Sequence, residues 1–130
     1  MKEIEKEDTE DNTELIQILD ELKNEGNFTG ILFAKRNGEL INEKIEKSIN
    51  SKEFVSMCAS VLEGAIELSK TMGSQKVNKI IAELKEDTII IVEIDKNSFL
   101  TCILNAQSNT NIVLDNLDKY IQKIVTLSYE

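Results

Sequence analysis

Few residues of this chain have the types and spacing that catalysis requires. The sequence contains no histidine, so the commonest general acid or base is absent, and no serine or cysteine has an obvious base to activate it. Cys58 lies in an apolar segment and is a poor candidate nucleophile. The chain has no G-x-x-x-x-G-K-[ST] motif, and no G-x-G-x-x-G follows a strand. These residues predict a protein that is not an enzyme.

Acidic side chains cluster at two predicted turns, Glu86-Asp87 and the pair Glu93 and Asp95. Carboxylates can bind a cation, but turns also favour acidic residues for solvation, and we predict no metal site and no cofactor. Cys58 and Cys102 lack the paired spacing of a zinc or redox motif. Two reduced thiols in the core are the prediction, and a disulfide between them is the alternative.

The formal net charge of −9 argues against nucleic acid and anionic lipid as partners, because phosphate binding depends on clustered Lys and Arg. No apolar run approaches the roughly 20 residues of a membrane span. The acidic amino terminus lacks the basic and apolar regions of a signal peptide. We therefore expect no membrane insertion and a cytoplasmic location.

Part of this acidity is concentrated at the amino terminus. Residues 1–11 contain one aliphatic side chain, Ile4, among many carboxylates. Such a segment buries too little apolar surface to offset the loss of conformational entropy on folding, so it is predicted to fray or to be disordered. A charged arm that binds a basic partner is the alternative. The remaining residues, 12–130, have the length of a single domain.

The first elements are predicted to be a helix followed by a hairpin. Gly26 stands where a helix C-cap needs a positive φ. Residues 28–35 and 40–45 have strand composition, and Asn37-Gly38 between them suits a type I′ turn with positive φ at both residues. The helix is indicated by apolar residues at the i, i+3, i+4, i+7 spacing: Leu15, Ile18, Leu19 and Leu22.

A long helix, three strands and a closing helix are predicted next. Ser51 can cap a helix over residues 52–72 that stops at Gly73, and strands over 77–84, 88–94 and 99–104 are close enough for an antiparallel meander. The strand 88–94 is apolar without alternation, as in a central strand covered on both faces. The closing helix has its own apolar stripe, namely Ile112, Leu117, Tyr120, Ile121, Ile124 and Val125.

The predicted fold class is therefore α+β, an α/β sandwich in the order α-β-β-α-β-β-β-α. Five antiparallel strands form the sheet, and helices lie on both of its faces, as in profilin-like architectures.

The second helix has more apolar surface than one sheet requires. At about 100° per residue, the apolar side chains of this helix fill an arc of roughly 200°. A helix that packs on one sheet needs an apolar arc little more than half as wide. Small residues border this arc, and Gly64 costs up to about 1 kcal/mol of helix propensity relative to Ala. We predict packing of this helix against a partner subunit rather than an internal fit. The predicted interface comprises Ser56, Met57, Ser60, Val61, Gly64, Leu68, Val77, Lys79 and Ile81.

The order of elements and several marker residues resemble the roadblock / dynein light chain 7 family over residues 12–128. The markers are Leu19-x-x-Leu22 with Gly26-x-x-x-Gly30, the hairpin sequence 36–41, and Leu68-x-x-x-Met72-Gly73. Many members carry a glycine early in the last helix, where this chain has Ile112-Val113-Leu114.

This resemblance implies a non-enzymatic homodimer or a heterodimer with a paralogue. It implies that second helices and third strands pair across a two-fold axis and that the shared surface binds or regulates small Ras-like GTPases or serves as an assembly platform. Arg36, the single arginine, is predicted to be an exposed bystander rather than an arginine finger. The predicted GTPase-binding residues are Ser56, Ser60, Glu63, Glu67 and Lys70.

Two other classes of function fit the sequence. A ligand-sensing PAS-like or profilin-like module needs an apolar cavity with convergent polar groups, which only Glu93, Thr101 and Asn105 could supply among the inner strands. A purely structural subunit of a larger complex shares every sequence feature with the GTPase regulator.

Overall fold

The elements follow the order α-β-β-α-β-β-β-α, so the predicted order and fold class are confirmed. The computed structural model describes the backbone of residues 2–46 and 48–128 and the side chains of residues 13–46, 48–111 and 113–127. The elements are α1 (Lys2–Gly26), β1 (Gly30–Lys35), β2 (Leu40–Ile45), α2 (Ser51–Lys70), β3 (Ile80–Glu83), β4 (Thr88–Glu93), β5 (Ser98–Leu104) and α3 (Thr110–Ser128).

The five strands form one antiparallel sheet in the order β2-β1-β5-β4-β3. The middle strand of the sheet is thus β5, every residue of which is buried, and the predicted strand 88–94 is an interior strand next to it. That segment, β4, has β5 on one side and β3 on the other. Its apolar run is nevertheless explained as predicted, because Ile90 and Ile91 are buried in the cores on opposite faces of the sheet.

The two faces of the sheet carry separate hydrophobic cores. Leu19 and Leu22 of α1 and Leu117 of α3 fill the core on one face, and α2 alone covers the other, burying Val55 and Leu62. Each such side chain contributes about 1.5–3 kcal/mol to folding through its removal from water.

The two cysteines are free and buried. Cys102 belongs to the core beside α1 and α3, whereas Cys58 belongs to the core beside α2. The sheet therefore separates them, which confirms two core thiols and excludes the disulfide considered from sequence. Burial raises the pKa of both thiols.

The end of α1 differs from its prediction. Gly26 is the last helical residue, but the left-handed residue is Asn27, with φ of 53°. Asparagine tolerates this region, and the Asn27 side-chain amide donates to the Gln107 carbonyl at 3.0 Å. Glycine is required at position 26 for space, because a Cβ there would overlap the Phe28 ring and Val113.

Side chains of α3 fasten this end of α1. The Glu25 carboxylate accepts hydrogen bonds from the Tyr120 hydroxyl at 2.5 Å and from the Asn116 side-chain amide at 2.6 Å. The bond from Tyr120 is the main cause that lowers the pKa of Glu25. Burial, reinforced by the Glu25 contact, raises the pKa of Tyr120 to about 12.

The hairpin turn is not the predicted type I′. Only Gly38 has a positive φ, of 94°, whereas type I′ needs positive φ at two successive residues. The Gly38 N–H donates to the Lys35 carbonyl at 2.9 Å, and the Lys35 N–H donates to the Glu39 carbonyl at 2.8 Å. This pattern is that of a three-residue loop whose last residue is left-handed.

Both ends of α2 also differ from their predictions. The N-cap is Asn50 rather than Ser51, and its side-chain oxygen accepts from the Glu53 N–H at 3.2 Å. The helix ends at Lys70 rather than at residue 72, because the Thr71 and Met72 N–H groups bond to carbonyls three residues earlier, in a tighter turn. Gly73 follows with a φ of 90°.

The strand predicted over residues 77–84 is shorter in the structure. Pairing with β4 is confined to Ile80–Glu83, so Val77 and Lys79 precede the strand. Leu84 closes the β3–β4 hairpin by donating its N–H to the Asp87 carbonyl at 2.8 Å.

The predicted acidic tail falls on residues whose side chains lie outside the described part, although α1 begins at Lys2. We expect deletion of residues 1–11 to leave the melting temperature nearly unchanged, because these residues supply almost no apolar surface. Thermal unfolding followed by circular dichroism checks this. A fall of several degrees, roughly 1–2 kcal/mol for a chain of this size, would show that the segment docks on the domain.

Candidate functional site: the outer surface of the second helix

The outward side of α2 carries a row of exposed apolar side chains. Met57, Val61, Leu68 and Met72, just beyond the helix, form what we call the apolar stripe, and their exposed fractions lie between 46% and 66%. The opposite side of α2 is buried on the sheet through Val55, Cys58, Ala59 and Leu62. Contiguous apolar surface of this kind marks interaction sites in soluble proteins.

Exposed apolar residues are also found at the β3 edge of the sheet. Ile81 on β3 and Leu84 after it are 45% and 58% exposed, and β3 is the last strand of the sheet. Ile81 pairs with Ile90, whose side chain is in the core beside α1 and α3. Ile81 therefore lies on the other face of the sheet from the apolar stripe. Val77, which the sequence assigned to the interface, packs against the core beside α2.

Gly64 lies beside the apolar stripe and has open space over it. A Cβ built at Gly64 would meet nothing within 4 Å, so no neighbour within the described chain requires glycine there. Its helix-propensity cost of about 1 kcal/mol relative to alanine is not explained by an internal fit. A small residue at this position would let a second helix approach closely.

A polar flank, which we define as Ser56, Ser60 and Glu63, lies on another side of α2. Glu63 is six residues from Met57, which separates them by about 120° around the helix. The flank faces the β1–β2 turn, where a Cβ on Gly38 would stand 3.3 Å from Ser56 Oγ. Between the turn and the helix lies an open cavity of about 430 Å³.

Arg36 connects this turn to two other elements. Its guanidinium forms an ion pair with Glu63 on α2 and a second with Glu93 on β4 at 3.3 Å. It also donates to the Lys96 carbonyl at 3.2 Å. The Arg36 side chain is only 21% exposed, so the prediction of an exposed cation is wrong. These contacts were not predictable from sequence, because the two partners of Arg36 are 27 and 57 residues away along the chain.

The other two residues predicted to bind a partner are on α2 and exposed. Lys70 Nζ lies 3.0 Å from Glu67 Oε1, and both side chains are more than half exposed. Pairs of this kind on a helix surface contribute only about 0.3–0.5 kcal/mol. Glu67 and Lys70 are thus available to a partner, whereas Glu63 is already paired with Arg36.

The residues considered for a ligand cavity do not converge. Glu93 pairs with Arg36, Thr101 is fully buried under α2, and Asn105 accepts from the Gln107 N–H within the loop before α3. A ligand-sensing site built from these three side chains is therefore not formed.

Neither an activated cysteine nor a metal-binding cluster is found among the described residues. The pKa of Cys58 is raised by burial, an effect that the adjacent Thr101 hydroxyl only partly offsets, so its thiol is a weak nucleophile. No group of three or more Cys, Asp or Glu side chains among the described residues could hold a metal ion. None of the described helices has the length and apolar character needed to cross a membrane.

Comparison with known proteins gives a consistent result. The Roadblock/LC7 domain model matches residues 15–104. An uncharacterised protein of Methanocaldococcus jannaschii is 26% identical over 109 residues, which are 84% of this chain and 96% of that protein.

Solved structures share the fold at low sequence identity. MglB of Myxococcus xanthus superimposes with a TM-score of 0.81 at 17% identity, covering 87% of this chain and 93% of that one. An MglB structure with a tetrameric arrangement gives a TM-score of 0.79 at 14% identity, with 86% and 85% coverage. Profilins share the fold as well, so the predicted profilin-like architecture is confirmed.

Proposed function

Because the chain belongs to the Roadblock/LC7 domain family, we propose that it is a dimeric, non-enzymatic regulator or scaffold that binds a small Ras-like GTPase. The observation that carries the proposal is the apolar stripe of α2, which is exposed in the single chain. A regulator of this kind acts in the cytoplasm and needs no cofactor.

In the proposed dimer, a two-fold axis places the apolar stripes of two copies, or of this chain and a paralogue, against each other. The open space over Gly64 accommodates the second helix. The edges of the β3 strands pair antiparallel, which extends the sheet across the axis and covers an otherwise free edge. Ile81 belongs to this strand edge, and Val77 and Lys79 lie in the segment that leads into it. Ser56 and Ser60, assigned to both surfaces from sequence, lie on the polar flank and border the interface.

The GTPase contacts the polar flank together with Glu67 and Lys70. Glu63 and Lys70 lie about 120° and 140° around α2 from Met57, so a second copy on the apolar stripe leaves them accessible. Ser56 and Glu67 lie about 100° and 80° from Met57, and Ser60 lies about 60° from it, at the border of the interface. Arg36 takes no direct part, because its guanidinium is already occupied by Glu63 and Glu93. Any stimulation of hydrolysis would act by reordering the GTPase's own switch loops.

Reversing the charge of Glu63 and Glu67 is expected to weaken GTPase binding by about tenfold while leaving the dimer intact. Charges at the rim of an interface mainly change the rate of association and its salt dependence. The variants are Glu67→Lys alone and Glu63→Lys with Glu67→Lys. Glu14→Lys with Asp115→Lys, two exposed positions on α1 and α3, gives the same change in net charge as the double variant and should bind normally. Equal weakening by both pairs would place the binding surface elsewhere.

Replacing Arg36 by alanine is expected to leave stimulated GTP hydrolysis within about threefold, against the 10³-fold or greater loss on removing a true arginine finger. Single-turnover hydrolysis by the GTPase measures this. Glu63→Gln is the matched control, because it weakens the same ion pair and keeps the guanidinium. Loss of stimulation in Arg36→Ala but not in Glu63→Gln would establish a finger, and hydrolysis by the purified chain alone would refute the non-enzyme assignment.

Affinity purification from native cells, read for a small GTPase that co-elutes, tests the proposed partner. We expect the wild-type chain to retain it and the double charge-reversal variant to lose it. Nucleotide hydrolysis and exchange by the recovered GTPase, measured with and without the chain, separate a regulator from a purely structural subunit.

A further inference from the structure

The β3–β4 ladder stops before β4 ends. The Leu84 N–H donates to the Asp87 carbonyl, so these residues form a hydrogen-bonded pair of the antiparallel ladder. Such pairs recur at every second residue, which makes Ile80 and Ile91 a hydrogen-bonded pair as well. The next pair in the same register would be Asn78 with Glu93, but pairing ends at Ile80.

An open cleft occupies the place where β3 would continue. It has a volume of about 310 Å³ and is lined by Asn78, Lys79 and Glu93 together with Asp118 and Gln122 of α3. Glu93 is still part of β4, and by the alternation of the ladder its backbone N–H and carbonyl point towards this cleft. No backbone hydrogen bond joins Asn78 to Glu93 in the described chain.

We propose that residues 77–79 are a switchable extension of β3, which pairs with β4 when a second copy of the chain pairs along the outer edge of β3. This inference rests on the proposed dimer. It adds that β3 is shorter in the single chain than in the dimer and reaches its full length only when the dimer forms.

The alternating direction of the backbone groups explains why extension of β3 is coupled to pairing with a second copy. Residues 78, 80 and 82 direct their backbone groups towards β4, so the odd-numbered residues direct theirs towards the partner. Ile81 and Glu83 are the only outward residues of the four-residue strand, and extension adds Val77 and Lys79. The seam between the copies thereby gains as many outward residues as it already has.

Val77 accounts for the open state of the single chain. Its side chain now packs against the core beside α2. In the extended strand it would lie opposite Ile94, whose side chain is buried on the other face. Extension therefore removes Val77 from the core beside α2, and the loss of this contact offsets the gain of the hydrogen-bonded pair between Asn78 and Glu93. Without the partner's hydrogen bonds along the outer edge, nothing further favours the extended strand.

Amide hydrogen exchange of the wild-type chain tests this inference. Exchange at Asn78 and Glu93 should slow by about tenfold between dilute monomer and concentrated dimer. The Ala82 and Ile89 amides, already paired in the ladder, serve as internal controls. Light scattering on the same samples reports whether the dimer is present.

Two substitutions at one position complete the test. Asn78→Pro removes the N–H that the extended strand needs and should weaken dimerisation by about tenfold, while the monomer keeps its fold. Asn78→Thr keeps the N–H and favours a strand, so its dimer should be at least as tight as the wild type. A dimer in which Asn78 and Glu93 exchange as fast as in the monomer overturns the extension alone, whereas a wild-type chain that never dimerises overturns the dimer and the extension together.

Discussion

Val61→Asp is expected to abolish the dimer. Val61 lies in the middle of the apolar stripe and is 46% exposed in the single chain, so aspartate there is solvated in the monomer and the fold is kept. Across a two-fold axis, the same substitution brings two carboxylates into an apolar seam. Burial of unpaired charge is costly, and we expect the dissociation constant to rise by at least about 100-fold.

Sedimentation velocity of the variant and the wild type measures this change. Thr126→Asp is the matched control, because it also replaces an exposed β-branched residue of a helix, but on α3. It should remain dimeric. Circular dichroism should show both variants folded, and a dimer of Val61→Asp with wild-type affinity would remove the apolar stripe from the interface.

Gly26→Ala is expected to lower the free energy of unfolding by about 1–3 kcal/mol, the usual cost of overpacking a core. A methyl group at this position would overlap the Phe28 ring and Val113, which are only 2% and 1% exposed and have little room to move. The end of α1 is also held to α3 through Glu25, so the backbone cannot easily shift to relieve the overlap.

Denaturant unfolding at one fixed protein concentration measures this effect, because self-association changes apparent stability. Gly64→Ala in the Val61→Asp background is the control. The new methyl group there meets nothing within 4 Å, and alanine should stabilise the monomer by up to about 1 kcal/mol. If Gly26→Ala had the same free energy of unfolding as the wild type, the end of α1 would be loosely packed against Phe28 and Val113.

The element order was predictable from sequence because it depends on periodic apolar residues. Leu19 and Leu22 at helical spacing and the unbroken apolar run of β4 both reflect burial that repeats along the chain. The exact caps and turns were harder to predict, because neighbouring residues compete for them. Asn50 and Ser51 can each cap a helix, and Asn27 rather than Gly26 takes the left-handed conformation.

Strand order and side-chain pairs across the fold depended on long-range contacts. The central position of β5 follows from its pairing with β1, which residues distant in sequence determine. Arg36 likewise meets Glu63 and Glu93 only after the hairpin, α2 and β4 have assembled. The exposed stripe on α2 was predictable, since an arc wider than one sheet can cover leaves Met57 and Leu68 in solvent.

Sedimentation velocity of the purified wild-type chain, across a concentration series into the high micromolar range, tests the central claim most directly. A monomer–dimer equilibrium ending near twice the chain mass of 14.7 kDa is the predicted result. A chain that stays at the mass of a single copy throughout the series would contradict the homodimeric interface on α2.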